Sequence, residues 1–89
     1  MPRSAANKPE LTPHVRQRMA KRGITEEQIY TALAREQRRT PGEPGTIWIH
    51  GIVPGDETFR EARTLKVCIT TDGARITTAA WRDIEEPTP

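Results

Sequence analysis

Eighty-nine residues hold one domain and no more, and with 34% of them hydrophobic the core must be thin. The mean hydropathy of −0.74 says the same. A formal net charge of +2 is too small to keep the chain open by self-repulsion, which excludes a disordered polyelectrolyte.

Cys68 is the single cysteine, so there is neither a disulfide framework nor a Cys-based zinc site. The two histidines lie 36 positions apart without clustered carboxylates, a poor metal site, and no metal or cofactor is expected. No stretch approaches the ~20 apolar residues that span a bilayer, and no apolar run follows the basic N-terminus as a secretory signal would require. No membrane partner is expected. A cytoplasmic protein is the default reading, and a domain carried at the tip of a secreted effector would read the same. The charge is unevenly divided. Residues 1–45 carry nine Lys/Arg against five Asp/Glu, and residues 46–89 five against seven. A basic first half suits a polyanion such as RNA or DNA, or is simply a solvated helix surface.

Residues 1–10 lack periodicity and read as a loose segment; residues 11–82 read as the domain and 83–89 as an acidic tail. Thr12 followed by Pro13 is an N-cap with proline at the first helical position. That helix should run to about Arg22 and stop at Gly23. Val15 and Met19 centre its apolar stripe, and His14, Arg18 and Arg22 form a second stripe along the border. Thr25-Glu26-Glu27-Gln28 fits a capping box, with Ile24 and Ile29 as its hydrophobic staple. Ile29, Ala32 and Leu33 supply the buried face, and Arg35, Arg38 and Arg39 suit the helix C-terminal end. Thr40–Gly45 is a breaker cluster that closes the helical half.

The remainder reads as strands. Thr46–Val53 alternates, Pro54-Gly55-Asp56 is a turn, and Thr58–Arg63 is a short strand or an excursion. Thr64–Thr71 and Ala74–Trp81 flank Asp72-Gly73, a two-residue hairpin signal. With that turn, Ile69 opposes Ile76 and Val67 opposes Thr78. One face is then Leu65, Val67, Ile69, Ile76, Thr78 and Ala80, the seat for the helices. The other carries Lys66, Cys68, Thr70, Arg75, Thr77, Ala79 and Trp81, which Trp48 and His50 join by parity. The expected class is α+β, two N-terminal helices packed on a small antiparallel β-sheet.

The run from His14 through Arg18 and Arg22-Gly23-Ile24-Thr25 to Ile29 resembles an uncharacterised family of small bacterial domains. Its pattern is His, three residues, Arg, three residues, Arg-Gly-Ile-Ser/Thr, then a second helix, a glycine-containing loop and strands ending in one rich in Thr. The resemblance covers roughly residues 11–82. That family is similar in layout to the RelE- and BrnT-type toxins, a broader group that includes barnase-like and other nuclease domains of secreted polymorphic toxins. The resemblance implies a metal-independent endoribonuclease toxin acting on RNA, with a cognate antitoxin or immunity protein as partner. BrnT-like motifs beyond this pattern are not found in the chain. A non-catalytic nucleic-acid-binding module and a protein-interaction domain remain as alternatives.

Metal-free RNA cleavage needs a base for the 2′-hydroxyl, cations for the phosphorane and an acid for the departing 5′-oxygen. His14 suits the base or the acid, and Arg18, one turn away, a bidentate phosphate fork. Lys66, Arg75 and Thr77 complete the expected catalytic set as donors across the cleft. Arg22, Trp48, His50 and Trp81 are the expected substrate contacts, the tryptophans by stacking a base. Each has a plainer reading: His14 as a core border, Arg18 as a partner of Glu26 or Glu27, Arg22 as a last-turn cation. Lys66, Arg75 and Thr77 read equally as solvated strand residues, His50 as a surface histidine, Trp81 as a core lid and Cys68 as inert.

Overall fold

A computed structural model describes residues 9–57 and 60–82. The elements are β1 (Glu10–Leu11), α1 (Pro13–Arg22), α2 (Glu26–Ala34), β2 (Glu36–Pro41), β3 (Thr46–Val53), β4 (Arg63–Thr70) and β5 (Arg75–Trp81). The class is α+β: two helices and one five-stranded sheet of order β1-β5-β4-β3-β2. The sheet is mixed rather than antiparallel throughout, because β1 pairs in parallel with the start of β5, Glu10 to Arg75 and Leu11 to Ile76. Glu10, read above as part of the loose segment, therefore belongs to the domain. The acidic tail and most of the loose segment lie outside the described residues.

Both helices begin where the side-chain grammar puts them. Thr12 accepts from the Val15 amide at 3.2 Å and Pro13 occupies the first turn. Gly23 closes α1 with φ +67°, a left-handed conformation that costs glycine little. Thr25 and Gln28 exchange both bonds of the capping box. The second helix, however, ends at Ala34, and Arg35–Arg39 do not extend it. Residues 36–41 instead form β2, the sheet's edge strand, paired with β3 from Glu36–Gly51 to Pro41–Ile47. The unpaired edge of β3 thus gains a ladder, and that outweighs the helix preference of these residues.

β4 and β5 pair as expected at Ile69–Ile76, but one step later the register slips. Cys68 faces Thr78 and Val67 faces Ala79, which leaves Thr77 as the extra residue of a β-bulge. Beyond it every β5 side chain changes face. The helix-side surface is therefore Ile49, Val53, Leu65, Val67, Ile69, Ile76, Ala79 and Trp81, all buried, and they meet Val15, Met19, Ile29 and Ala32 in one core. Thr78 and Ala80 move to the open face, and Trp81, expected there, is 6% exposed in the core. Its Nε1–H donates to the Arg22 carbonyl at 3.0 Å, and the Arg63 guanidinium lies 3.6 Å from its ring centroid. Trp81→Phe keeps a ring for Arg63 but strands that carbonyl, for an expected loss of about 1–2 kcal/mol. Thermal unfolding checks this as a fall in Tm of roughly 4–8 °C per kcal/mol for a domain this size.

Helix α1 follows directly on β1 and runs beside β5. Thr12 donates to the Ile76 carbonyl from N and Oγ1, at 3.3 and 3.0 Å, and near the other end Arg22 Nη1 donates to the Ala79 carbonyl at 2.7 Å. The helix so covers the β5 edge that the two-residue β1 leaves open. One flank of α1 goes into the core and the adjacent one reaches the open sheet face. Among the described residues, no helix is long and apolar enough to cross a membrane.

Candidate functional site

On the open face the register aligns residues in rungs across the strands. Thr40, Trp48, Cys68 and Thr78 make one rung, and Arg38, His50, Lys66 and Ala80 the next. A cleft of about 490 Å³ lies over the first, lined by His14, Arg18, Glu43, Thr46, Trp48, Cys68, Thr77 and Thr78. His14 and Arg18 come from α1 at the β5 side. Glu43 comes from the β2–β3 loop at the other, held there because its carbonyl accepts from both the amide and the hydroxyl of Thr46 at 2.8 Å.

Four of the sequence-predicted site residues meet in this cleft: His14, Arg18, Trp48 and Thr77. Arg18 Nε donates to His14 Nε2 at 3.4 Å, while Glu26 is taken by Arg16 at 3.2 Å. The i, i+4 spacing on α1 makes the first contact available, and the Arg16–Glu26 pair leaves Arg18 turned toward the cleft. Thr77 reaches it through the bulge, its hydroxyl 3.4 Å from the Cys68 carbonyl that accepts from it.

The other five lie elsewhere. Lys66 sits one rung away with Nζ 4.9 Å above the Trp48 ring. Arg75 is exposed at the far end of β5 opposite Glu10, before the bulge, and does not line the cleft. Arg22 is committed to the Ala79 carbonyl and Trp81 to the core, so neither lines it. His50, read as a surface histidine, is 6% exposed, with Nε2 3.0 Å from the Thr40 hydroxyl and Nδ1 without a partner.

Burial lowers the His50 pKa below its ordinary 6.5, and Arg38, Arg82 and Lys66 lower it further. The folded protein thus holds His50 neutral where the unfolded chain protonates it. As pH falls below about 6.5 the unfolded state binds the extra proton, so stability should decline until the folded value is passed. Urea titrations between pH 8 and 5 should show this slope, and His50→Gln should flatten it.

Glu43, Thr46 and Thr78 were missed from sequence. Thr78 is hidden by the bulge, and Glu43 by a Thr40–Gly45 stretch whose prolines and glycines signal only a turn. As a chemical device, the cleft offers an imidazole and a guanidinium at one wall, a carboxylate at the other, hydroxyls along the floor and an indole for stacking. Among the described residues no three His, Cys, Asp or Glu side chains gather into a possible metal site. Comparisons with protein-family models, with curated proteins and with solved structures found no match to this chain.

Proposed function

We propose that the protein binds single-stranded RNA over the open face of its sheet and cleaves it at the His14–Arg18 pair by metal-independent transesterification. On this reading its helices-on-sheet layout is that of the RelE- and barnase-like toxins. The observation that supports it best is the cleft itself, where the two α1 residues that helix grammar does not explain meet Trp48 and three threonines.

The chemistry follows from the positions. In the resting state Arg18 donates to His14 Nε2, the nitrogen that faces the cleft's guanidinium and is placed to act as base. A phosphodiester entering the cleft takes over the guanidinium, which frees Nε2 to accept the 2′-hydroxyl proton. The 2′-oxygen attacks phosphorus, Arg18 stabilises the charge of the phosphorane, and a 2′,3′-cyclic phosphate forms as the P–O5′ bond breaks. The 5′-oxygen departs on the side opposite the nucleophile. There a water held by the Glu43 carboxylate gives a proton to the 5′-oxygen. Trp48 fixes the base flanking the scissile phosphate by stacking.

Purified protein incubated with single-stranded RNA in excess chelator should yield products ending in 2′,3′-cyclic phosphate, and induced expression should arrest growth. Glu43→Gln should slow cleavage by about tenfold, a smaller effect than removing the base. RNA left intact at high enzyme concentration would end the catalytic reading. Salt-dependent binding would then support a non-catalytic nucleic-acid module. An antitoxin or immunity partner would have to cover this same face, because inhibition requires the cleft to be filled.

A further inference from the structure

The rung beside the cleft carries a charge distribution that the cleavage chemistry does not use. Arg38, His50 and Lys66 stand side by side on β2, β3 and β4. Arg82 follows Ala80 by two positions on the same face, its amide donating to the Thr64 carbonyl at 2.9 Å. The ion pairs of Arg16 with Glu26 and Arg39 with Glu36 lie elsewhere, and among the described residues none of Arg38, Lys66 and Arg82 is in an ion pair. All three act on His50, and no carboxylate is among the charges that do. Three cations thus converge on a buried imidazole whose Nδ1 has no hydrogen-bond partner. Gathering like charges is costly unless an anion joins them.

The spacing fits the anion to the cleft. Two residues along a strand advance about 6.6 Å, roughly one nucleotide step of an extended strand. Lys66 bridges the two rungs, since its ammonium lies over the Trp48 ring of the first.

We propose that Arg38, Lys66 and Arg82 form a second phosphate subsite, one rung from the cleft, that holds the phosphodiester adjacent to the nucleotide stacked on Trp48. The proposal rests on single-stranded RNA being the occupant of this face, and not on its being cleaved there. It gives the bound strand a direction, along the sheet from the His14–Arg18 end toward Arg82. It also explains why the basic character matters although the net charge is small: Arg38 and Lys66 share one rung and Arg82 stands on the next, while Arg16 and Arg39 are paired away from them.

The test is fluorescence anisotropy of a short labelled single-stranded RNA with protein carrying His14→Ala, so that binding is read without scission. The added R38A/K66A/R82A substitutions should lower the slope of log K against log salt by about 0.7, the contribution of one phosphate contact on a single strand. R39A, which removes an arginine paired with Glu36, should leave the slope unchanged, and thermal melting of each variant checks that it is folded. R38K/R82K should retain most of the binding, as a phosphate subsite requires only the charge. Poly-glutamate serves as the acidic-polypeptide arm and should bind far more weakly than RNA, without the dependence on Trp48 that RNA shows. An unchanged RNA slope in the folded triple variant overturns the subsite. Equal loss of poly-glutamate and RNA binding, with no effect of Trp48→Ala, overturns it in favour of an acidic protein surface. Loss of cleavage in the His14 variant with binding retained bears on the catalytic reading alone.

Discussion

Replacing His14 with alanine should lower the rate of RNA cleavage by about 10²–10⁴ while leaving RNA affinity within a few fold. A positioned acid–base group contributes about that much to a proton-transfer step, and His14 is exposed on the first turn of α1 with no core contact to lose. Arg18→Ala should cost a comparable factor in kcat and also weaken binding, because the guanidinium meets both the ground-state phosphate and the phosphorane. The pair should behave as a unit. Arg18 holds His14 Nε2 in the resting state, so the double variant should be little slower than the worse single one. Arg18→Lys separates the roles: it keeps the charge but loses the fork, and should recover binding more than rate. Single-turnover cleavage of a defined oligonucleotide, with binding measured alongside, resolves all four variants. Wild-type rates for His14→Ala would remove His14 from the mechanism.

The helical half of the fold was legible because its signals are local. Thr12-Pro13, Gly23 and the Thr25 capping box each satisfy backbone groups within a few residues, and each begins or ends its helix where expected. What failed depends on partners distant in the chain. Glu36–Pro41 carries no strand pattern of its own and becomes β2 only because β3 offers it a ladder. Two residues at Glu10–Leu11 are too short to read and are strand only beside β5. The bulge at Thr77 mattered most for the site. The face assigned to each β5 residue up to Ile76 was right, and after one inserted residue every assignment inverted, moving Trp81 into the core and Thr78 to the cleft. Alternation cannot reveal a bulge inside a run such as Ile-Thr-Thr-Ala-Ala, where small and polar residues suit either face. His14 and Arg18 stood out for the opposite reason, since no rule of helix termination or packing accounts for them.

Gly51→Ala should be among the most destabilising single substitutions in the chain, by at least about 3 kcal/mol, because inserting volume into a packed interior costs 1–3 kcal/mol even where side chains can yield. Here they cannot. A Cβ on Gly51 would lie 1.9 Å from the Ala32 carbonyl oxygen, 2.5 Å from its carbon and 2.7 Å from its Cα, all backbone atoms of the last turns of α2. Ala32 is itself fully buried, and Gly51 is paired on both sides, with Glu36 and with Leu65, so neither helix nor strand can shift alone. Trimming the neighbour does not help. Ala32→Gly removes a methyl group that is not the obstacle, so the double variant should be no more stable than Gly51→Ala. That outcome separates a backbone collision from ordinary overpacking, in which the second change would restore stability. A fall in Tm of roughly 12–24 °C is expected at this cost, and a shift under about 3 °C would mean that α2 does not approach β3 this closely. The consequence extends through the sheet. Gly51 lies between His50 and Ile52, and Trp48 is three positions back on the same strand, so lifting β3 away from α2 moves the open face as well. At a temperature where the variant is still folded, RNA affinity should therefore fall with stability, although Gly51 itself faces the helices and touches no ligand.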